Sequence, residues 1–183
     1  MNDLKRIPKI IHQIWLGPLE PPKEAMESWK DFHPNWEYIL WTEKNLPALK
    51  NQNAFDRSDA YSQKADILRY EILQDFGGIF VDADEHCIKN IDPLFESIFQ
   101  SHCDCFAVYE KGNSGLIANG IMGCTKNNPF MKKMVDEIIR LIILTAINLK
   151  KEEATNEVKT FGIIRPAENI KIIGITTFLI NIL

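Results

Sequence analysis

The sequence has few cysteines, and none of them has the spacing of a metal-binding pair. The four thiols lie at positions 87, 103, 105 and 124. No C-x-x-C pair is present, which argues against a zinc knuckle. Cys103 and Cys105 are too close for an ordinary internal disulfide. We therefore expect four reduced thiols, as in a cytosol-like compartment.

The sequence also lacks an excess of positive charge and a long uninterrupted apolar segment. Its formal net charge is -4, so it has no basic field of the kind that attracts nucleic acid. The N-terminus "MNDLKRIPKI" has no continuous apolar region typical of a signal peptide. No stretch reaches the roughly 20 apolar residues of a membrane span. These absences predict a cytoplasmic protein without a nucleic-acid partner, and they leave peripheral contact with a membrane open.

Repeats and low-complexity linkers are absent as well, so 183 residues with 45% apolar content predict a single domain over residues 1–183. Apolar and β-branched runs predict strands, and helical periodicity predicts helices between them. The alternation predicts an α/β fold with a mostly parallel central sheet flanked by helices. The apolar residues 163–183 fit either buried strand material or a chain end without its cover. The predicted strands are 7–16, 36–41, 79–81, 106–109 and 116–122, and the predicted helices are 23–32, 58–76 and 129–149.

The helix predicted over residues 58–76 carries the clearest end signals. Ser58 is a typical N-cap residue and Gly77 a typical C-cap residue. Between them, apolar residues recur at helical spacing and predict one buried stripe. The members of this stripe are Tyr61, Ala65, Leu68, Ile72 and Phe76.

Two acids follow the apolar run Ile79-Phe80-Val81, in the segment "QDFGGIFVDADEHC". Like charges at the end of a buried strand repel unless a cation or hydrogen-bond donors balance them. Asp82 and Asp84 would lie roughly 6.6 Å apart in an extended strand. Two oxygens around a small octahedral cation are at most about 4.2 Å apart. The pair is therefore either a Mg²⁺ or Mn²⁺ site on a bent or water-bridged chain, or a pair of turn formers. His86 could add a nitrogen ligand to such a site, but we expect it to be an exposed loop histidine.

Asp66 and Arg69 lie three residues apart on the predicted 58–76 helix. At 100° per residue they fall on the rim of its buried face, where side chains reach the edge of a cleft. Arg69 can grip a phosphate or carboxylate with its planar fork, and Asp66 can orient that fork or accept a sugar hydroxyl. The alternative is a plain i,i+3 ion pair on a helix surface.

Two further residues have both a functional and a structural interpretation. Trp15 ends the first predicted strand, where its ring could stack on a nucleobase or pack in the core. Asn119 lies inside the apolar run "LIANGIMG", where a buried amide needs hydrogen bonds. It could hold the acidic site or a substrate hydroxyl, or bond to the backbone.

Taken in order, four segments of the chain closely resemble glycosyltransferase family 32. They are "IPKIIHQIWLG", "HPNWEYILW", "KADILRYEILQDFGGIFVDAD" and "LIANGIMG". This family contains DXD-motif sugar transferases related to capsular polysaccharide and yeast mannosyl transferases, and it is similar to the catalytic domains of large clostridial glucosylating toxins. The resemblance covers about residues 7 to 130.

The resemblance implies a GT-A-type fold that binds a nucleotide sugar. It also implies a retaining hexosyltransferase with a divalent cation, usually manganese with magnesium as the alternative. The donor would be a UDP- or GDP-sugar, and the acceptor a glycan or a lipid-linked glycan in polysaccharide biosynthesis. Trp15 would stack on the donor base and Asn119 would line the sugar pocket.

The resemblance also implies roles for the acidic residues and the arginine. Asp66 and Arg69 would contact the donor sugar. Asp84 would ligate the metal that bridges the diphosphate. Asp82 would contact the ribose, the sugar, or the metal through water.

The sequence departs from the family pattern after Asn119. A late family segment that carries His or Trp has no counterpart here, since the last histidine is His102 and all tryptophans lie within the first 41 residues. This favours a truncated domain or closure of the site by another element. A catalytically inactive nucleotide-sugar or partner-binding module is the alternative function. A DxD phosphohydrolase is a further one, although His86 stands where that class usually has Thr or Val.

Overall fold

The computed structural model describes residues 6–109 and 117–140, which form a five-stranded sheet with helices on both faces. In chain order the elements are β1 (Ile10–Ile14), α1 (Lys23–Phe32), β2 (Glu37–Trp41), α2 (Gln52–Arg57), α3 (Tyr61–Phe76), β3 (Gly78–Val81), α4 (Asp92–Gln100), β4 (Cys105–Tyr109) and β5 (Ile117–Cys124). Residues 129–140 form a further helix, α5.

The strand order is β2-β1-β3-β5-β4. β1 pairs in parallel with β2 and β3, whereas β5 pairs antiparallel with both β3 and β4. β4 therefore runs in the same direction as β1, β2 and β3, and β5 alone is reversed. The predicted α/β fold with a mostly parallel sheet is confirmed.

The sheet separates two apolar clusters. Helix α3 and helix α5 cover one face, where Leu68, Ile72 and Met131 pack against Phe80 of the sheet. Helices α1 and α4 cover the other face, where Trp29 and Phe95 pack with residues of β1 and β3. Burial of the sheet on both faces explains the short, uninterrupted apolar run of β3.

The predicted start of the helix over residues 58–76 is wrong. Ser58 is the C-cap of α2, and its hydroxyl donates to the carbonyl of Ala54 at 2.8 Å. α3 begins at Tyr61, whose side chain is 49% exposed. The single-stripe prediction is too narrow, because every residue from Ile67 to Gln74 is buried. A helix covered on several sides loses the one-sided pattern that the prediction used.

Other predicted elements agree with the structure over the described residues. α1 buries Met26 and Trp29 as expected, whereas Phe32 is 40% exposed. α5 buries Met131, Met134, Val135 and Ile138. The predictions for Ile142, for the helix beyond residue 140 and for residues 163–183 lie outside the described residues. Helices α2 and α4 were not predicted. No described helix is long and apolar enough to cross a membrane.

The junction between α3 and β3 is fixed by glycines and by a buried histidine. Gly77 has φ 69°, and a Cβ on it would lie 2.6 Å from the backbone nitrogen of Lys126. His12 Nε2 lies 2.8 Å from the Gly77 carbonyl, while Trp41 Nε1 donates to His12 Nδ1 at 3.1 Å. These partners fix the tautomer with the proton on Nε2, and burial lowers the pKa of His12 to about 4. This junction sets where β3 begins and where its acidic end lies.

Candidate active site

The acidic segment after β3 is a tight turn at the carboxyl end of the strand. The amide of Glu85 donates to the carbonyl of Asp82 at 3.1 Å, and the amide of Asp82 donates to the carbonyl of Gly120 at 2.8 Å. Asp84 lies exposed within the turn, whereas the side chain of Asp82 is 39% exposed. The chain therefore bends after Val81, which is the condition under which both carboxylates can approach one ion. His86 is exposed, as predicted.

Arg69 connects the carboxylates of α3 and of the turn. Its guanidinium lies 3.1 Å from Asp66 Oδ1 and 3.2 Å from Asp82 Oδ1, and it donates to the Asn119 carbonyl at 2.7 Å. It also covers the ring of Phe80, 4.4 Å from the centroid. The predicted rim position is wrong for Arg69, whose side chain is only 6% exposed. α3 is buried along residues 67–74, so Arg69 lies at the bottom of the site and not at its edge.

Asn119 reaches the same cluster from an irregularity in β5. The β4–β5 register changes from Ala107 opposite Met122 to Val108 opposite Ala118, and such bulges re-aim side chains next to functional sites. Asn119 Nδ2 donates to Asp66 Oδ1 at 3.0 Å and lies 3.4 Å from the Tyr70 hydroxyl. The Asn119 side chain therefore bonds to the acidic cluster, while its carbonyl accepts from Arg69.

The carboxylates outnumber the positive charge in this cluster. Asp66, Asp82 and Asp84 stand against the single guanidinium of Arg69. Burial raises the pKa of Asp66 and of Asp82, while Arg69 opposes both shifts and Asp84 adds to the shift of Asp82. Among the described residues the cluster therefore carries more negative than positive charge, a difference that a cation bound with a substrate would reduce.

The described ranges contain no group of three or more His, Cys, Asp or Glu side chains able to hold a metal by themselves. A small dication needs only one or two protein carboxylates, because water and substrate phosphates complete its shell. The all-oxygen donor set at Asp82 and Asp84 suits magnesium or manganese rather than zinc.

Trp15 lies directly after β1, at the same carboxyl edge of the sheet. It is partly buried, and its indole Nε1 donates to the carbonyl of Leu19 at 2.7 Å. The loop that follows passes Gly17, where a Cβ would lie 2.6 Å from the ring of Tyr61 on α3. Trp15 belongs to neither apolar cluster, so a packed core position does not account for it.

Several residues around the site were not identified from the sequence. A Cβ on Gly120 would lie 2.6 Å from Asp82 Oδ2, and an isolated glycine within an apolar strand is a signal of such close approach. Tyr70 lies in the part of α3 where every residue is buried, so the helical apolar pattern did not distinguish it. Gln13 looked like an ordinary member of a buried strand, although a fully buried amide always needs partners.

Two solved structures have the same fold. They are the PaToxG glycosyltransferase, with TM-score 0.55 and 17% identity over 72% of this chain and 60% of that one, and the ligand-free glycosyltransferase domain of the YGT toxin, with TM-score 0.53 and 12% identity over 85% and 66%. At such identities the likeness shows the fold alone. The described residues therefore have a GT-A-like fold, with the acidic turn at the carboxyl edge of its sheet.

Residues 20–102 of the chain match the family described as "Glycosyltransferase sugar-binding region containing DXD motif". Inositol phosphoceramide mannosyltransferase 3 of Schizosaccharomyces pombe is 35% identical over 76% of this chain and 39% of its own length. Mannosyl phosphorylinositol ceramide synthase SUR1 of Saccharomyces cerevisiae is 31% identical over 72% and 35%. The chain therefore spans well under half the length of these relatives.

Proposed function

We propose that this domain transfers a sugar from a nucleotide-sugar donor to a glycan or lipid-linked acceptor, with retention of configuration and with a divalent cation. The observation that carries the proposal is the bridge of Arg69 between Asp66 and Asp82, beside the exposed Asp84. Ligands of open α/β sheets bind at the carboxyl ends of the strands, and this cluster lies after β3. A cytoplasmic location stays a prediction.

Asp84, and Asp82 directly or through water, would hold manganese or magnesium together with the donor diphosphate. The cation, when bound, supplies positive charge against the negative charge that develops on the departing diphosphate. Arg69 keeps the carboxylates in a fixed arrangement and adds its own positive charge nearby. Asp66, oriented by Arg69 and Asn119, has an acceptor oxygen available for a sugar hydroxyl.

The nucleobase of the donor would stack on Trp15, whose ring is oriented by its bond to Leu19. The proposed donor is a UDP- or GDP-sugar. The relatives named as inositol phosphoceramide mannosyltransferases support mannose as the sugar and an inositol-containing sphingolipid as the acceptor class.

A panel of UDP- and GDP-sugars, GDP-mannose included, tests this proposal with and without Mn²⁺ or Mg²⁺. Release of nucleoside diphosphate is measured in each case, and isothermal titration measures binding. We expect metal-dependent hydrolysis or transfer in the wild type and its loss in Asp84→Ala. Full activity of Asp84→Ala would rule out the proposed site. Binding without turnover would favour an inactive module, and phosphate release from small phosphoesters would favour a phosphohydrolase.

A further inference from the structure

A chain of hydrogen bonds reaches the acidic turn from the side opposite Arg69. The side chain of Gln13 on β1 is fully buried, and its Nε2 donates to the Asp82 carbonyl at 3.2 Å. The Tyr38 hydroxyl on β2 donates to Gln13 Oε1 at 2.7 Å. Gln13 and Tyr38 are called the amide–hydroxyl pair below. Neither of them bonds to Asp66, Arg69 or Asn119.

The orientation of the amide–hydroxyl pair is fixed by its partners. A backbone carbonyl only accepts, so the amide nitrogen of Gln13 faces Asp82 and its oxygen faces Tyr38. The hydroxyl must then donate. Burial raises the pKa of Tyr38 to about 12, with a smaller contribution from Glu27, so the hydroxyl keeps its proton at neutral pH.

The amide–hydroxyl pair lies where the ladder between β1 and β3 stops. β1 and β2 are in register over five residue pairs, from Ile10 opposite Glu37 to Ile14 opposite Trp41. β1 and β3 are in register only at Ile11–Ile79 and His12–Phe80. Gln13 is the next residue of β1, and its side chain bonds to the turn that follows β3, beyond the last backbone pairing of the two strands.

The Asp82 carbonyl therefore has two donors, the Gln13 amide and the backbone amide of Glu85 that closes the turn. Helix α1 holds the far side of the turn: Trp29 Nε1 donates to the Glu85 carbonyl at 2.7 Å. Asp84 lies exposed between these two fixed peptides, so the direction of its carboxylate depends on them.

We propose that Gln13 and Tyr38 are positioning residues, which hold the acidic turn from the face opposite Arg69 in the shape that the cation and the donor diphosphate require. This inference rests on the proposed function for the role of the turn. It assigns no contact with substrate to either residue. If the two residues hold the turn, breaking the amide–hydroxyl pair should make the turn more mobile even when no ligand is bound.

Hydrogen exchange of the ligand-free protein tests the restraint directly, in a peptide that spans residues 80–88. Tyr38→Phe removes only the hydroxyl, and Gln13→Leu removes the amide at similar volume. We expect exchange of the Glu85 amide to be about three- to tenfold faster in both variants, as for loss of one internal hydrogen bond. Tyr38→Phe keeps the test decisive if Gln13→Leu folds poorly.

Val135→Ala is the matched control, because Val135 is buried in α5 and packs in the cluster on the opposite face of the sheet. It should lower the melting temperature and leave exchange in residues 80–88 unchanged. Unchanged exchange in Tyr38→Phe and Gln13→Leu would overturn the proposal, and so would equal acceleration in Val135→Ala.

Manganese binding gives the second measurement, through the electron paramagnetic resonance signal of free Mn²⁺ with UDP or GDP present. We expect a dissociation constant about tenfold higher in both variants, in the range for loss of outer-shell partners. An unchanged constant, where the wild type binds, would overturn the positioning role. No binding by the wild type would instead contradict the proposed function, and the exchange comparison would still decide whether the pair restrains the turn.

Discussion

The carboxylate of Asp82 lies directly against Gly120. A Cβ at position 120 would come within 2.6 Å of Asp82 Oδ2, and the carbonyl of the same glycine accepts the amide of Asp82 at 2.8 Å. One residue of β5 therefore fixes the backbone of Asp82 and also limits where its carboxylate can go. A side chain at position 120 therefore has room only if the Asp82 carboxylate moves.

Gly120→Ala is expected to keep the fold and to lose activity. The added methyl group displaces the Asp82 carboxylate, and a misplacement of about 1 Å at a reacting site costs on the order of a hundredfold in rate. Donor hydrolysis measured over a range of Mn²⁺ concentrations checks this. Gly123→Ala is the control in the same strand, because its methyl group would lie 2.5 Å from the Phe106 ring instead. Equal activity of the two folded variants would contradict the prediction.

Asp84→Asn is expected to reduce metal-dependent donor hydrolysis by on the order of a hundredfold or more, the cost of removing one electrostatic contact to the transition state. The exposed side chain has no hydrogen bond or ion pair with the residues that the structure describes, and its charge disfavours the ionised form of Asp82, so the melting temperature should not fall. Asp75→Asn provides the comparison. Asp75 is a partly exposed acid at the C-terminal end of α3, and it is paired with Lys50. A similar loss of activity in Asp75→Asn would show that the effect is not local.

Arg69→Met is expected to lower the free energy of unfolding by roughly 3 kcal/mol at pH 7, because it leaves Asp66 and Asp82 without their buried partner. Both carboxylates take up protons as the pH falls, so the deficit relative to the wild type should shrink in acid. Urea unfolding at pH 7 and pH 4.5 measures both effects. Lys132→Met, which breaks the exposed pair with Asp136, should cost less than about 1 kcal/mol. A deficit that grows in acid would count against this account.

His12 should make stability depend on pH between about 4 and 6.5. In this window the unfolded chain protonates the histidine, whereas the folded chain, with a pKa of about 4, keeps it neutral. His12 therefore binds more protons in the unfolded state, and its contribution to the free energy of unfolding falls by roughly 3 kcal/mol as the pH is lowered through this window. The raised pKa values of Asp66 and Asp82 act in the opposite direction, but they are common to the wild type and its variants.

His12→Gln keeps a donor for the Gly77 carbonyl and removes the titration. Unfolding by urea at pH 7.0, 5.5 and 4.5 should show a smaller loss of stability in acid for this variant than for the wild type. His86→Gln, a change in the exposed loop, should follow the wild-type curve. Parallel curves for all three proteins would mean that His12 titrates normally in the fold.

The strands, the α/β class and the acidic turn could be predicted because local patterns determine them. β3 is a short apolar run between a glycine pair and two acids, and each of these signals acts within a few residues. Ser58 was misassigned because its hydroxyl bonds back to Ala54 in a short helix that has no sequence pattern of its own. A serine can lie at the end of one helix or at the start of the next, so the residue type alone does not distinguish the two positions.

The remaining parts of the site depend on contacts between distant strands, which no local pattern encodes. The register change that re-aims Asn119 arises from pairing of β4 with β5. The burial of Arg69 depends on the other elements that pack against α3, and the sequence of the helix does not specify them. Gln13 has its partner because the pairing of β1 with β3 ends at His12 and Phe80, which leaves the Asp82 carbonyl open to a side-chain donor. The roles of the predicted site residues stay predictions, as does the extent of the domain over residues 1–183.

The late position of β5 in the chain has a consequence for the order of folding. Asp66, Arg69 and Asp82 belong to one continuous helix–strand unit, but Asn119 is 53 residues along the chain from Asp66. Contacts at such separation carry a loop-closure cost and tend to form late. When α3 and β3 have folded but β5 has not, Asp66 and Asp82 lack the contacts with Asn119 and Gly120 that fix them. The capacity to bind a donor should therefore appear only when β5 joins the sheet, so donor binding would report the last cooperative step of folding.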